Sequence, residues 1–223
     1  MNKIPTNILV FEEYYQRYDE WFNSHKWVYK SEIEALRKLI PKECIGLEIG
    51  VGTGRFSTPF GINIGIDPSR KMVHIAKEKG IDVICAVGEY LPFKKEIFDF
   101  VLIVTTICFL EDPFKTLKEI KIVLKKNGLV IIGFIDKSSK LGKFYESRKE
   151  EKLFYKAARF YSVKDLKKWL DKLLFINFCS YQTIFNELNK INIMEPIKEG
   201  HGEGSFIVLK ARKSSLKKKR DIK

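Results

Sequence analysis

Apolar positions along the chain follow first a helical and then an alternating period. Phe11, Tyr14, Tyr15, Tyr18 and Phe22 recur at helical spacing, with Glu12, Glu13, Gln16, Arg17, Asp19 and Glu20 between them, which predicts an aromatic-faced amphipathic helix. A second helix is expected to open at Ser31, where S-E-I-E reads as a capping box with Glu34, and to run through Ile33, Leu36 and Ile40 to Pro41. From there short apolar runs at 45–49, 62–66, 81–86, 98–104 and 129–135 alternate with helical patterns, the signature of a parallel α/β sheet covered on both faces. Ser69 and Asp112-Pro113 read as helix starts, and Gly80 and Asn127-Gly128 as helix stops. Segment 137–161 is charged and weakly periodic around Phe144, Tyr145, Phe154 and Tyr155, a candidate mobile lid. Ser162 and Asp165 then cap a helix carrying Leu166, Trp169, Leu170 and Leu173, and strands follow at 176–185 and 205–211. The expected organisation is a helical cap (1–41), an α/β domain (42–212) and a basic disordered tail (213–223).

Composition narrows the partners. With 223 residues, 45% hydrophobic and 31% charged, the chain has enough apolar side chains for one large domain, and no apolar run reaches the roughly 20 residues of a membrane span. Of the net +13, eight basic residues and one acid fall in residues 210–223, so the body is mildly basic and nucleic acid is not the expected partner. Cys44, Cys85, Cys108 and Cys179 form no C-x-x-C pair, and His25, His74 and His201 are scattered. These features lead to an expectation of a cytoplasmic protein with no metal, monomeric or homodimeric.

The chemistry is concentrated in Leu47-Glu48-Ile49-Gly50-Val51-Gly52-Thr53-Gly54, an apolar strand running into three alternate glycines. Glycine there lets the backbone turn tightly and lets a ligand approach where a Cβ would collide. Nineteen residues after Glu48, Asp67 ends the next strand, where a carboxylate accepts hydrogen bonds from a ribose diol. A dinucleotide loop of the G-x-G-x-x-G type is a competing reading, but here the third glycine comes one residue early. Glu48 also sits poorly beside a pyrophosphate and suits a ligand carrying an ammonium and a sulfonium.

With these motifs the chain resembles the class I S-adenosylmethionine-dependent methyltransferases, in particular the type 11, ubiquinone/menaquinone-biosynthesis-like small-molecule branch, over about residues 18–211. The resemblance implies a Rossmann-like sheet of seven strands in the order 3-2-1-4-5-7-6, the last antiparallel. It implies S-adenosylmethionine as cofactor and S-adenosylhomocysteine as product. Glu48, Gly50, Val51, Gly52, Thr53 and Gly54 would wrap the methionine part, and Asp67, with Pro68 and Met72, the ribose. Val87-Gly88-Glu89-Tyr90-Leu91-Pro92-Phe93 would surround the adenine. Val87 stands where relatives carry an aspartate, which moves the adenine contact toward Gly88, Glu89 and Tyr90. Thr105 and Thr106 fall in the loop beside the transferable methyl.

Methyl transfer from a sulfonium needs alignment and exclusion of water more than a base, so no catalytic residue is assigned. The expected acceptor is a small molecule with a nitrogen or oxygen nucleophile, an amine among the candidates. Tyr18, Trp21, Thr106, Tyr181 and His201 are its candidate contacts. Segment 184–204, with Glu187, Glu195, Glu199, His201 and Glu203, is a candidate acceptor wall. Two other functions compete: an RNA methyltransferase or RNA-binding protein using the tail, and an NAD-dependent oxidoreductase. Cys108, the one thiol placed for RNA cytosine chemistry, reads as a buried structural cysteine.

Overall fold

The computed structural model describes residues 6–215. Three helices, α1 (Thr6–Glu13), α2 (Tyr15–Ser24) and α3 (Lys26–Arg37), precede β1 (Gly46–Ile49). There follow β2 (Ile64–Asp67), α4 (Arg70–Glu78), β3 (Asp82–Cys85), β4 (Phe98–Val104), α5 (Pro113–Val123), β5 (Leu124–Ile135), α6 (Lys140–Ser147), α7 (Val163–Lys172), β6 (Phe175–Thr183), β7 (Lys198–Glu199) and β8 (Phe206–Lys213). One sheet of order β3-β2-β1-β4-β5-β8-β6-β7 is parallel through β5 and antiparallel beyond it. The expected order holds, with one difference: the two-residue β7 adds an eighth strand outside β6.

Strand β4 shows why this sequence makes three layers. Phe98, Val101 and Ile103 face a core with Leu117 and Ile120 of α5 and Leu166 and Leu170 of α7. Phe100, Leu102 and Val104 face the opposite core, with Phe22 of α2 and Val28 and Leu36 of α3. From Phe100 to Val104 a period of two with both faces apolar buries the strand completely, and each such side chain contributes about 1.5–3 kcal/mol. The cap residues behave as the sequence predicts. The Ser69 hydroxyl accepts from the Met72 amide at 3.2 Å, Asp112 accepts from the Lys115 amide at 2.9 Å, and Ser162 and Asp165 form the reciprocal capping box.

Local expectations shift in four places. The aromatic N-terminal helix breaks at Tyr14 into α1 and α2. Ser31 caps nothing: it lies inside α3, where its hydroxyl donates to the Trp27 carbonyl at 2.7 Å and accepts from the Glu195 amide at 2.8 Å. Helix α5 ends at Val123, and Asn127, at φ +62°, belongs to a bulge where the pairing steps from Phe98–Leu124 to Phe100–Leu129. Strand β8 runs through Lys213, taking one residue of the expected tail, and the remainder from Leu216 on lies outside the described residues.

Segment 137–161 is packed. Both carboxylate oxygens of Asp136 accept backbone N–H groups, from Ser138 at 2.6 Å and Val163 at 3.1 Å, which tie its two ends together. Between them Phe154 stacks on Phe11 and Tyr155 on Phe109, with centroids 5.4 and 6.1 Å apart. None of the described helices is long and apolar enough to cross a membrane.

Candidate active site

At the carboxyl ends of β1, β2 and β4 a cleft of about 380 Å³ opens between the glycine loop and the N-terminal helices. Gly50 and Gly52 form its floor, both at positive φ (+70° and +54°). A Cβ on Gly50 would stand 2.3 Å from Thr106 Cγ2, and one on Gly52 would fill the gap toward the Tyr18 ring, 3.5 Å away. Glycine is therefore required at the first position by packing, and at the second it keeps a cradle open. Asp67 stands at the side, 8% exposed, with Oδ2 accepting from the Gly52 amide and Oδ1 from the Ser69 amide, each at 2.9 Å. Burial raises its carboxyl to about 6 against these two hydrogen bonds, which favour the charged form. Each oxygen keeps a further lone pair for a ligand hydroxyl.

Of the residues expected at the cofactor, Pro68, Met72, Gly88, Glu89, Tyr90 and Thr105 also line this cleft, together with Tyr18 and Thr106, which the sequence assigns to the acceptor. A Cβ on Gly88 would meet Thr116 Cγ2 at 2.8 Å. Glu89 is on the wall, but its Oε1 accepts the amides of Glu111 and Asp112 at 2.9 and 3.1 Å, so it also holds the loop after β4 in place. Thr105 carries φ +49° in that loop, a strained conformation of the kind that concentrates at functional sites, and its side chain is hydrogen-bonded to Tyr18. Burial, followed by the charges of Glu48 and Asp67, holds the Tyr18 phenol well above its ordinary range, so it stays protonated.

Six expected contacts lie elsewhere. Glu48, 1% exposed, sits beneath the loop, where Ser57 Oγ donates to it; burial, with the Asp67 charge adding, pushes its carboxyl up to about 8. Val51 packs on Gly65 and Val83, and a Cβ on Gly54 would strike Ile81 Cδ1 at 2.6 Å, so both serve packing between loop, sheet and α4. The Thr53 hydroxyl points the other way and donates to Asp19 at 2.5 Å. Tyr181, on β6, packs against the α3 face of the sheet and lines neither the cleft nor the chamber behind it. His201 is exposed, paired with Ser180 Oγ at 3.2 Å. Most acids of segment 184–204 are engaged away from the cleft. Glu195 staples Phe185 and Asn186, Glu187 pairs with Lys190, and Glu203 with Lys198, while Glu199 lies exposed on the edge strand β7.

The sequence reading missed how much of the site comes from the N-terminal helices. Ile8 and Phe11 of α1 line the cleft, and Glu12 accepts from Ser69 Oγ at 2.6 Å. From α2, Asp19 receives the Thr53 hydroxyl and the Arg55 guanidinium; burial would raise its carboxyl, but these hydrogen bonds outweigh that and hold it below the usual range. The acids on the polar face of the predicted amphipathic helix were the available signal.

Behind Tyr18 and Thr105 lies a second, narrower chamber of about 90 Å³. It shares Phe11, Tyr18, Thr105 and Phe109 with the cleft and is otherwise walled by Trp21, Phe22, Tyr145, Phe154, Tyr155 and aliphatic side chains. Glu32 of α3, 3% exposed, is the one charged residue among the described residues of its lining. A basic surface groove holding Arg17, Lys140 and Lys152 leads to the same aromatic wall.

A glycine-floored cleft at the strand ends, a buried carboxylate at the end of the neighbouring strand and a last strand, β8, inserted antiparallel between β5 and β6 together define a class I methyltransferase fold. A family profile described as "Methyltransferase domain" matches residues 47–132. A Thermotoga maritima protein, its crystal structure described as "SAM-dependent methyltransferase, possible histamine N-methyltransferase", is 45% identical, covering 93% of this chain and 100% of that one, with a TM-score of 0.91. An uncharacterized protein of Methanocaldococcus jannaschii is 52% identical over 204 residues, 92% of this chain and 98% of that one. Demethylmenaquinone methyltransferase of Bacillus licheniformis is 29% identical over 139 residues, 55% of this chain and 59% of that one. This chain belongs to the class I S-adenosylmethionine-dependent methyltransferases, and S-adenosylmethionine is its cofactor.

Proposed function

We propose that this enzyme methylates a small molecule at nitrogen or oxygen, an amine being the class the site suits best. The observation that carries this reading is the shared wall of cleft and chamber at Phe11, Tyr18, Thr105 and Phe109. The chamber, about 90 Å³ and walled by aromatic rings, has room for a small organic molecule and not for a folded RNA. The amine hypothesis in the name of the Thermotoga relative points the same way.

In this reading Gly50, Gly52, Met72 and Asp67 hold the cofactor, with Gly88, Glu89 and Tyr90 around its adenine. The bound cofactor supplies an electrophilic methyl on a sulfonium. The chain's own part is alignment and dryness: Tyr18 and Thr105 fix the boundary between donor and acceptor, and the aromatic walls exclude water from it. Aromatic faces also tolerate the positive charge shared by donor and acceptor. Segment 137–161 acts as the lid of the acceptor chamber, and helices α1 to α3, the described part of the expected cap, close over the cofactor. Four unpaired cysteines support a reducing, cytoplasmic setting.

The test is transfer of radiolabel from methyl-labelled cofactor to a panel of small amines, phenols and RNA. Uptake into a small amine or phenol is expected. Uptake into RNA alone would overturn the small-molecule reading.

A further inference from the structure

Glu32 is a costly residue for a fold to keep. It is buried on α3 between aromatic rings, and among the described residues its carboxylate makes no hydrogen bond and no ion pair. Its one perturbation is burial, which raises the carboxyl to about 8. Tyr18, Tyr145 and Tyr155 line the same chamber, and their phenols feel its charge. The buried carboxylates that serve packing are handled differently: Asp136 and Glu195 each receive at least two hydrogen bonds, and Glu48 receives one from Ser57. A buried carboxylate with no internal partner, facing a cavity, is the arrangement expected where the partner arrives with the ligand.

We propose that Glu32 is the subsite for a positively charged nitrogen of the methyl acceptor, and that this nitrogen is not the atom methylated. The proposal rests on the reading of the chamber as the acceptor site. Glu32 lines the chamber and not the cofactor cleft, whereas methyl delivery has to occur across the shared wall at Tyr18 and Thr105. A nitrogen paired with a buried carboxylate is also stabilised in its protonated form and has no lone pair to attack with. The substrate class is therefore a small bifunctional cation: an ammonium or amidinium-type group at one end, a neutral nitrogen or an oxygen nucleophile at the other, joined by a short apolar body. Trp21, Phe22 and Tyr145 receive that body and add cation–π attraction.

The test separates charge from shape. Protein saturated with S-adenosylhomocysteine is titrated by calorimetry with 2-phenylethylamine and with its neutral isostere 2-phenylethanol, for the native chain, E32Q and E32M. The native chain is expected to bind the ammonium compound at least tenfold more tightly than the alcohol. In both variants the ratio should fall to within about twofold while affinity for S-adenosylhomocysteine stays unchanged. Because Glu32 already favours its neutral form, Gln and Met at this position are compatible with the fold, and thermal melts check this. No preference for the cation in the native chain, including no binding of either compound, or a preference that survives both variants, overturns the proposal. Failure of the underlying reading looks different: a cation preference governed by Glu32, with no radiolabel transferred to any amine or phenol, would remove the methyl-transfer role of the chamber and leave the subsite.

Discussion

Glu48 is the residue on which family pattern and structure differ most, and Glu48→Gln tests the difference. The pattern makes it a cofactor contact, while the structure buries it beneath the loop against Ser57. Burial raises its carboxyl from 4.5 to about 8. A group whose folded value lies above its unfolded value contributes stability that is fully present below the unfolded value and is lost as pH rises through the folded one. Each unit is worth 1.36 kcal/mol; below about pH 8 the native chain keeps Glu48 protonated while the unfolded chain ionises it, so relative to pH 4 the native state loses on the order of 3 kcal/mol of stability by pH 7 and about 5 kcal/mol by pH 9. Glutamine keeps an acceptor for the Ser57 hydroxyl and removes the titration. Urea denaturation at fixed ionic strength from pH 5 to 9 should show the native chain losing on the order of 4 kcal/mol of stability relative to E48Q, with S-adenosylhomocysteine affinity within about threefold. Parallel stability curves would refute the burial argument, and a tenfold or greater loss of cofactor affinity would restore Glu48 as a ligand contact.

Asp67→Asn should weaken S-adenosylhomocysteine binding by about 10- to 100-fold in calorimetry, since hydrogen bonds to a charged acceptor contribute about 1.5–3 kcal/mol; unchanged affinity would remove the ribose assignment. Gly50→Ala places a methyl 2.3 Å from Thr106 Cγ2 at φ +70° and should lower denaturant stability by about 2 kcal/mol or more. Burial pushes the Cys108 thiol up to about 12, so at pH 7.5 iodoacetamide should label the exposed Cys44 and Cys85 first, and Cys108→Ala should keep methyl transfer. Loss of transfer in that variant, with its cofactor affinity intact, would reopen cysteine-dependent chemistry.

Much of the sheet was legible because its signals are local. Strand β4 reads as a continuous apolar run, and the caps at Ser69, Asp112 and Ser162 are each satisfied within three residues. The glycine loop and Asp67 were legible for the same reason: spacing alone puts them at adjacent strand ends. What stayed hidden depended on long-range partners. Ser31-Glu34 satisfies the capping-box pattern, yet Trp27 and Glu195 claim Ser31, and helix continues through it. His201 reads as an acceptor contact because its segment is expected to wall the acceptor site, but that segment turns back along β6 as an edge strand. Glu32 showed no signal at all, since a glutamate at a helical position reads as solvated surface until the opposite wall is known.

The N-terminal helices link the two halves of the site. One stretch of α2 offers Asp19 to Thr53 and Arg55, fixing the outer side of the glycine loop, and, from its adjoining face, Tyr18 and Phe22 to the proposed acceptor chamber. Tyr18 stands between Gly52 and Phe154, so it touches the cofactor cradle on one side and segment 137–161 on the other. On the proposed reading a shift of α2 therefore moves the cofactor loop and one wall of the acceptor chamber together, so this helix couples the two sides between which the methyl passes. Precision of that kind is what a displacement reaction demands, because a misplacement of about 1 Å can cost a hundredfold in rate. On this argument the substitutions most damaging to turnover, beyond those that prevent cofactor binding, lie on α2 at Tyr18 and Asp19, in a part of the chain that precedes the methyltransferase sequence motifs altogether.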